Sequence, residues 1–145
     1  MWLIDGIVAG LIAGVIMGCI SQIGYWLGIL KSHLIVIDGE FTLRKLKQKT
    51  TTPAIYATGI LIHLVTSVVF GIIYVLLAKL IGFSPGSLWT IAVYVLILWL
   101  AMLFSALPIA GQGLLGKKAS RYAWLEQFFL HVIFAAVFWW ALGTI

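Results

Sequence analysis

Long apolar runs alternate with short polar stretches along the chain. The apolar runs cover about 2–30, 54–78, 88–110 and 122–143. Each is long enough to cross the ~30 Å hydrocarbon core of a bilayer as a helix, which takes about 20 apolar residues. Because a helix satisfies its own backbone hydrogen bonds, the pattern predicts an all-α fold, a bundle of four transmembrane helices. We interpret the 145 residues as a single integral membrane domain, 1–145.

The charged residues are few and lie mainly in two polar loops, 31–52 and 112–121. The chain is 63% hydrophobic and 9% charged, whereas soluble domains are roughly 45–50% apolar and about 25% charged. Eight of the nine basic residues lie in these loops: Lys31, Arg44, Lys45, Lys47, Lys49, Lys117, Lys118 and Arg121. This positive-inside distribution predicts that both loops are cytoplasmic and that both termini lie outside. Only Phe41 interrupts the basic residues with an aromatic ring, so the net charge of +5 does not indicate nucleic-acid binding.

The first loop contains two apolar stretches on either side of Asp38-Gly39. Asp-Gly between apolar runs is typical of a β-hairpin turn. A short interfacial helix through Phe41, Leu43 and Leu46, with basic residues on its other side, fits equally well. An ordinary solvated loop is the third interpretation, and the sequence leaves all three open.

Two histidines, His63 and His131, each lie about ten residues into a span that follows a basic loop. At the helical rise, both fall ~15 Å from the same membrane face, near the bilayer midplane. The segments 63–70 and 131–138 also resemble each other, HLVTSVVF against HVIFAAVF. Since both spans leave the cytoplasm in the same direction, this likeness suggests two helical hairpins related as a parallel repeat.

Small and polar residues recur every four positions on three of the spans. Such stripes let helices approach closely, and they face other helices or a cavity rather than lipid. The stripes on spans one, two and four are Gly6, Gly10, Gly14 and Gly18; Gly59, His63, Ser67 and Gly71; and Ala123, Gln127, His131 and Ala135. The first is a glycine zipper, which predicts packing against a neighbouring helix, a second copy of the chain or another membrane protein.

Three interpretations of the histidine pair remain open. Each imidazole donates to a carbonyl, Ser, Thr or Gln of a neighbouring helix; or the pair forms part of a site for a lipid, quinone or small substrate; or it supplies both axial ligands of a b-type haem. With the polar residues at similar depth, the candidate ligand-binding residues are His63, His131, Ser67, Gln127, Gln22 and Ser105. No third Cys, His or carboxylate is placed reliably near, so another metal site is not predicted.

Glu126 is the one acidic residue within a span beyond Asp5. It lies five residues after Arg121, close to the cytoplasmic boundary, so it can reach the interface or a cation of a loop. We predict a structural ion pair, with a gating or proton-handling role as the alternative.

Pro108 breaks the third span, because it cannot donate to the carbonyl of Phe104. Gly111-x-Gly113-x-x-Gly116 spells a dinucleotide-binding fingerprint, but no strand precedes it, so we interpret the match as accidental. Irregular backbone at membrane depth is tolerated where it is covered by protein or lines a cavity. With Glu126, the residues Pro108, Gly111 and Gly113 are therefore candidates for a cytoplasm-facing pocket.

Three ordered features resemble a family: the glycine-rich first span; His63, Ser67, Gly71 and Tyr74 on the second; and the proline–glycine segment after the third. The chain resembles small four-span prokaryotic inner-membrane proteins of unknown function, the YagU-like proteins. It departs from them at Ala135 and Trp139, where the pattern favours glycine. The resemblance implies a multi-pass protein of the prokaryotic inner membrane, and it implies no activity.

The sequence contains no nucleophile elbow, paired carboxylates or zinc-protease motif. We therefore predict a non-enzymatic packing or interaction component with a midplane site for a lipid or small molecule. The alternative is a membrane haem- or quinone-binding subunit that uses His63 and His131.

Overall fold

A computed structural model describes residues 2–145, and within that range the regular structure is helical, without strands. The helices are α1 (Trp2–Trp26), α2 (Leu34–Lys45), α3 (Thr52–Ile81), α4 (Leu88–Ile109) and α5 (Ala123–Thr144). A short 3-10 turn, Leu114–Gly116, lies between the last two. Four of the helices, all but α2, are long and apolar enough to cross a membrane, which confirms the predicted all-α fold with four candidate spans.

The helix ends differ from the predicted boundaries where the backbone reverses. Helix α1 stops at Trp26 because the amides of Ile29 and Leu30 both turn back to the carbonyl oxygen of Gly24, each at 3.0 Å. Gly28 allows this turn with a φ of +71°. Helix α3 runs on to Ile81, where its amide ladder ends at a left-handed Gly82.

The first loop folds as helix α2, so the hairpin interpretation is wrong. Asp38-Gly39 lies inside this helix, where tertiary packing overrides the turn preference of the dipeptide. Gly39 crosses α3 so closely that a Cβ there would collide with the carbonyl oxygen of Ile55, and a Cβ at Gly59 would collide with that of Ile35. The two glycines therefore fix α2 against the start of α3.

The N-terminus of α2 is capped by His33, whose Nδ1 accepts a hydrogen bond from the Val36 amide at 3.3 Å. The same ring lies edge-on to Tyr25 and Tyr56, with ring centroids 4.2 Å and 5.5 Å away. The ring is half-buried and joins α1, α2 and α3 at this end.

Helix α1 lies at the centre of the bundle, between α3 and α5, and α4 packs on the other side of α5. The two hairpins α1–α3 and α4–α5 thus meet through α1 and α5. Helices α3 and α4 are consecutive in sequence but have few backbone contacts with each other. This leaves an open seam along one side of the bundle.

The glycine stripe of α1 faces α3 of the same chain. A Cβ at Gly10 would lie 2.5 Å from the carbonyl oxygen of Ser67, and one at Gly14 would lie 2.5 Å from the Ser67 hydroxyl oxygen. At Gly18 the nearest neighbour is the His63 ring, 3.3 Å away. Gly6 meets Gly71 in the same way further along. A second copy of the chain cannot use this face while α3 covers it.

Helix α4 contains a π-helical turn, Met102–Ala106, directly before Pro108. The Leu107 amide donates to the Met102 carbonyl, five residues back, instead of four. The irregular backbone predicted after Pro108 therefore begins one turn earlier than the proline. It continues through Gly111 and Gly113, whose φ angles are +81° and +74°.

Candidate lateral cleft

A cavity of about 430 Å³ lies in the seam between α3 and α4. Its floor is formed by Met17 of α1, His63 and Ser67 of α3, and His131 and Phe134 of α5, and α2 contributes Leu34 and Asp38 at one end. Its polar lining residues are Asp38, His63, Thr66, Ser67, Ser105 and His131; its apolar ones include Met17, Ile62, Phe70, Leu98, Met102, Ile109 and Phe134. We call this cavity the lateral cleft. Its volume lies in the ~300–1,000 Å³ range of small-molecule sites.

The lateral cleft opens sideways, through the seam. The lining residues of its outer edge, Thr66 on α3 and Ala101 and Ser105 on α4, are exposed. On its floor, His63 and Ser67 are buried, at 8% and 4% exposure. His63 and Ser67 thus lie deep, His131 is half-buried, and the hydroxyls of Thr66 and Ser105 lie at the mouth.

His63 is held by α1. Its Nε2 lies 2.9 Å from the carbonyl oxygen of Gly14, inside the glycine stripe. A carbonyl oxygen only accepts, so Nε2 carries the proton and donates. Room for the ring comes from Gly18, one turn further along α1, where an added Cβ would lie 3.3 Å from the imidazole.

His131 is held by its own helix. Its Nδ1 lies 2.8 Å from the carbonyl oxygen of Gln127, one turn back on α5. Here Nδ1 donates, for the same reason. If the histidines only pack the bundle, each ring is expected to have a hydrogen-bond partner on a neighbouring helix. His63 has such a partner on α1, whereas the partner of His131 is on its own helix.

The upper end of the lateral cleft is closed by Tyr94, which crosses the seam and donates to the carbonyl oxygen of Phe70 at 2.8 Å. Beyond it, the seam widens again into a shallower groove of about 330 Å³, lined by Tyr74, Phe83 and Trp89 among others. Tyr74 in turn donates to the Pro85 carbonyl at 3.0 Å. These tyrosines are the polar links between α3 and the start of α4.

Asp38 was not predicted as a site residue, since its Asp-Gly pair indicated a turn. The structure places its carboxyl at the α2 end of the lateral cleft, and burial raises the pKa of Asp38 to about 7. Desolvation disfavours the charged form of a carboxyl, so this is the expected direction. The signal in the sequence was an acidic residue directly after the apolar run 34–37, followed by a glycine that allows close packing.

The structure brings together four of the six candidate ligand-binding residues and separates the other two. His63, His131, Ser67 and Ser105 line the lateral cleft, whereas Gln22 and Gln127 do not. Gln127 turns the other way, and its Nε2 donates to the Ser32 hydroxyl at 3.2 Å. Helical periodicity places a residue on a face, and a long amide side chain can still leave that face.

Glu126 makes no ion pair, so that prediction is wrong. In the described residues, 2–145, the ion pair is Arg44 with Glu40 at 3.1 Å, exposed on α2. Glu126 Oε2 instead accepts from the amides of Lys31 and Ser32 at 3.1 Å and 2.8 Å, and from the Ser32 hydroxyl at 2.6 Å. Oε1 accepts from the Ser120 hydroxyl at 2.8 Å. The carboxylate therefore fastens the segment before α2 to the start of α5.

Of the residues proposed for a cytoplasm-facing pocket, Pro108 and Gly111 form a turn, in which the Gly111 amide donates to the Pro108 carbonyl oxygen at 3.0 Å. Pro108, Gly111 and Gly113 lie outside the lateral cleft lining, although their neighbour Ile109 belongs to it. Glu126 is occupied by its four hydrogen bonds. The glycines instead provide the left-handed turns that lead the chain away from α4.

The described residues hold no cluster of three or more His, Cys, Asp or Glu that could bind a metal ion. The two histidines also present different ring nitrogens: Nε2 of His63 is engaged by Gly14, and Nδ1 of His131 by Gln127. A haem held through Nε2 of both rings would require His63 to give up its bond to α1.

Comparison with known proteins finds no matching family model, no matching curated protein and no matching solved structure.

Proposed function

We propose that this chain is a multi-pass membrane protein that binds a small apolar or amphipathic molecule from the bilayer. One observation carries the proposal. The lateral cleft has a polar floor, and it opens sideways between α3 and α4, two helices long and apolar enough to cross a membrane. An apolar molecule in the bilayer can enter such an opening without crossing water. Packing alone does not require polar groups to converge on an open cavity.

The proposal includes the orientation expected from the basic loops, with both termini outside the cytoplasmic membrane of a prokaryote. Basic residues flank α2 at Lys31 and follow it at Lys47 and Lys49, and they recur at Lys117 and Lys118. Cytoplasmic placement of these loops follows from the positive-inside rule. Reporter fusions at Ile145 and in the loop after α2 test it: the terminal fusion reports the outside, the loop fusion the cytoplasm.

The binding function is tested by photolabelling in nanodiscs with trifluoromethyl-iodophenyl-diazirine, a small apolar carbene precursor. We expect saturable labelling of lining residues such as Met102 and His131, because a binding site fills. Lipid-facing residues such as Val65, which is 50% exposed, label in proportion to the probe concentration.

A pair of adjacent tryptophan substitutions supplies the control. Ala101 lines the mouth of the lateral cleft, and Leu100 does not. Ala101→Trp is expected to abolish saturable labelling by filling the mouth, and Leu100→Trp to leave it intact. Non-saturable labelling throughout the wild-type chain would refute the proposed function.

A further inference from the structure

The hydrogen bonds in the floor of the lateral cleft determine which kind of polar group a ligand must bring. A neutral imidazole has one N–H donor and one acceptor nitrogen. His63 spends its donor on the Gly14 carbonyl, at 2.9 Å. Its Nδ1 is then an acceptor, and none of the hydrogen bonds found among residues 2–145 uses the Nδ1 of His63.

His131 reaches the same state through the opposite nitrogen. Its donor, at Nδ1, is spent on the Gln127 carbonyl at 2.8 Å. Nε2 is left as an acceptor without a hydrogen-bond partner in the described part of the chain. The two rings therefore contribute two acceptors to one cavity.

Ser67 lies between the histidines and α1, and its donor is also spent. Its hydroxyl donates to the His63 carbonyl at 2.8 Å, one turn back on α3. The oxygen keeps only its acceptor lone pairs for a ligand. Thr66 and Ser105, at the mouth, retain hydroxyls that can donate or accept, so they do not decide the preference.

The alternative, a charged imidazolium with two donors, is disfavoured by its surroundings. Neither histidine forms an ion pair with a carboxylate within residues 2–145. An unpaired charge at membrane depth costs several kcal/mol, about 2.5–3.5 even on the mildest scales. The rings are therefore neutral, and His63, Ser67 and His131 form a cluster of acceptors. The Asp38 carboxyl, at the α2 end of the lateral cleft, can donate or accept according to its protonation, so like Thr66 and Ser105 it does not decide the preference.

We propose that the ligand of the lateral cleft is a hydroxyl-bearing apolar molecule, an alcohol or phenol. Each hydroxyl can donate one hydrogen bond, the first to Nε2 of the half-buried His131 and, where the molecule carries a second hydroxyl, another to His63 Nδ1. This inference rests on the proposed function and names its ligand class. A hydroquinone and a long-chain lipid alcohol share this chemistry. The oxidised quinone and the methyl ethers of either molecule only accept hydrogen bonds, so they leave the two histidine acceptors without partners.

The test uses competition against the saturable diazirine labelling of the wild-type protein in nanodiscs. One arm compares 2-decylhydroquinone with its quinone and its dimethyl ether, and the other compares farnesol with farnesyl methyl ether. In at least one arm we expect the hydroxyl form to compete about tenfold better, since leaving a buried polar group unpaired costs about 1–3 kcal/mol. The series in which the hydroxyl form competes better shows whether the ligand is a hydroquinone or a long-chain lipid alcohol.

His131→Phe removes the Nε2 acceptor and keeps an aromatic ring. We expect the hydroxyl preference to fall at least about threefold, with competition by the ether unchanged. His33→Asn, outside the lateral cleft, is the matched control and keeps the preference. If His131→Phe does not fold, Ser67→Ala removes an acceptor from the same floor and should reduce the preference in the same direction.

The outcomes separate the two proposals. Equal competition by hydroxyl and ether forms, or preference for the quinone, would overturn the hydroxyl inference and leave the binding function standing. If the wild-type protein shows no saturable diazirine labelling, both the binding function and the hydroxyl inference are overturned.

Discussion

The imidazole of His63 donates to the carbonyl oxygen of Gly14 across 2.9 Å. This hydrogen bond joins the polar floor of the lateral cleft to the glycine stripe of α1. The glycine stripe lets α3 approach α1 closely enough for this bond, since an added Cβ would meet Ser67 at Gly14 and the His63 ring at Gly18. Close helix packing and the orientation of a candidate ligand-binding residue therefore depend on the same glycines.

Substituting the glycines of this stripe should destabilise the bundle to different extents. A Cβ at Gly10 meets the carbonyl oxygen of Ser67 at 2.5 Å, and one at Gly14 meets the Cβ of Ser67 at 2.6 Å, and neither atom can rotate away. A Cβ at Gly18 meets only the His63 ring, at 3.3 Å. We expect Gly10→Ala and Gly14→Ala to lower the free energy of unfolding by about 3 kcal/mol and Gly18→Ala by about 1 kcal/mol. Unfolding in mixed micelles with increasing SDS measures all three.

Gly143→Ala is the matched control for this series. Gly143 lies in α5 with no atom within 4 Å of the added Cβ. Alanine is the better helix former by about 1 kcal/mol, so this variant should be neutral or slightly more stable. Equal losses at Gly10 and Gly143 would contradict close packing of α1 on α3.

Replacing Glu126 should release the segment before α2. Its carboxylate accepts four hydrogen bonds, and Glu126→Gln turns one of the two accepting oxygens into a donor facing N–H or O–H groups. We expect a loss of about 2 kcal/mol, and faster hydrogen exchange at the amides of Lys31 and Ser32. Glu40→Gln, which removes only the exposed pair with Arg44, should change stability by less than about 0.5 kcal/mol. Unchanged exchange at Ser32 would argue against the four-bond geometry.

The sequence predicted the four long helices and placed both histidines at the same depth, because apolar length and helical periodicity are read directly from residue types. It did not predict the partners. Glu126 has a basic loop beside it in sequence, yet backbone amides satisfy it at the helix start. A periodic pattern assigns a face to a residue, and the neighbour on that face depends on how the helices cross.

Helix α2 shows a second limit of the sequence. Asp38-Gly39 has a strong local preference for a turn, and that preference is outweighed by the contact of Gly39 with α3. Such a contact joins residues far apart in the chain, so no local window contains it. Asp38 was missed as a lining residue of the lateral cleft for the same reason.

The arrangement of the two rings argues against the haem alternative. Haem binding through Nε2 of both histidines would break the hydrogen bond from His63 to the Gly14 carbonyl oxygen. The close contact between α3 and α1 would then lose this hydrogen bond. We expect protein expressed with excess haem and then purified to show no Soret absorbance. A Soret band that disappears in both His63→Ala and His131→Ala would overturn this expectation.

The stability of the protein should fall as the pH rises from about 4 to about 7, because of Asp38. Its usual pKa is 3.8, and burial raises it to about 7 in the folded chain. Across that interval the unfolded chain gives up the proton while the folded chain keeps it, so unfolding becomes easier. We expect a loss on the order of 2 kcal/mol, since one pKa unit is about 1.4 kcal/mol and the carboxyl is partly exposed. In Asp38→Asn, the unfolding temperature should not show this fall between about pH 4 and pH 7.

His33, the N-cap of the same helix, should produce the opposite dependence. Its Nδ1 accepts from the Val36 amide, and burial lowers the pKa of the His33 ring from its usual 6.5. As the pH falls below about 6.5, the unfolded chain binds a proton that the folded chain resists, so stability is lost. Protonation at Nδ1 also removes the cap of α2, an interaction of about 1 kcal/mol. His33→Asn keeps a capping side chain and does not titrate. Its unfolding temperature should therefore no longer fall because of this ring as the pH drops below about 6.5, while the pH dependence due to Asp38 should remain. A decline of the same size in this variant would assign the acid sensitivity to another group.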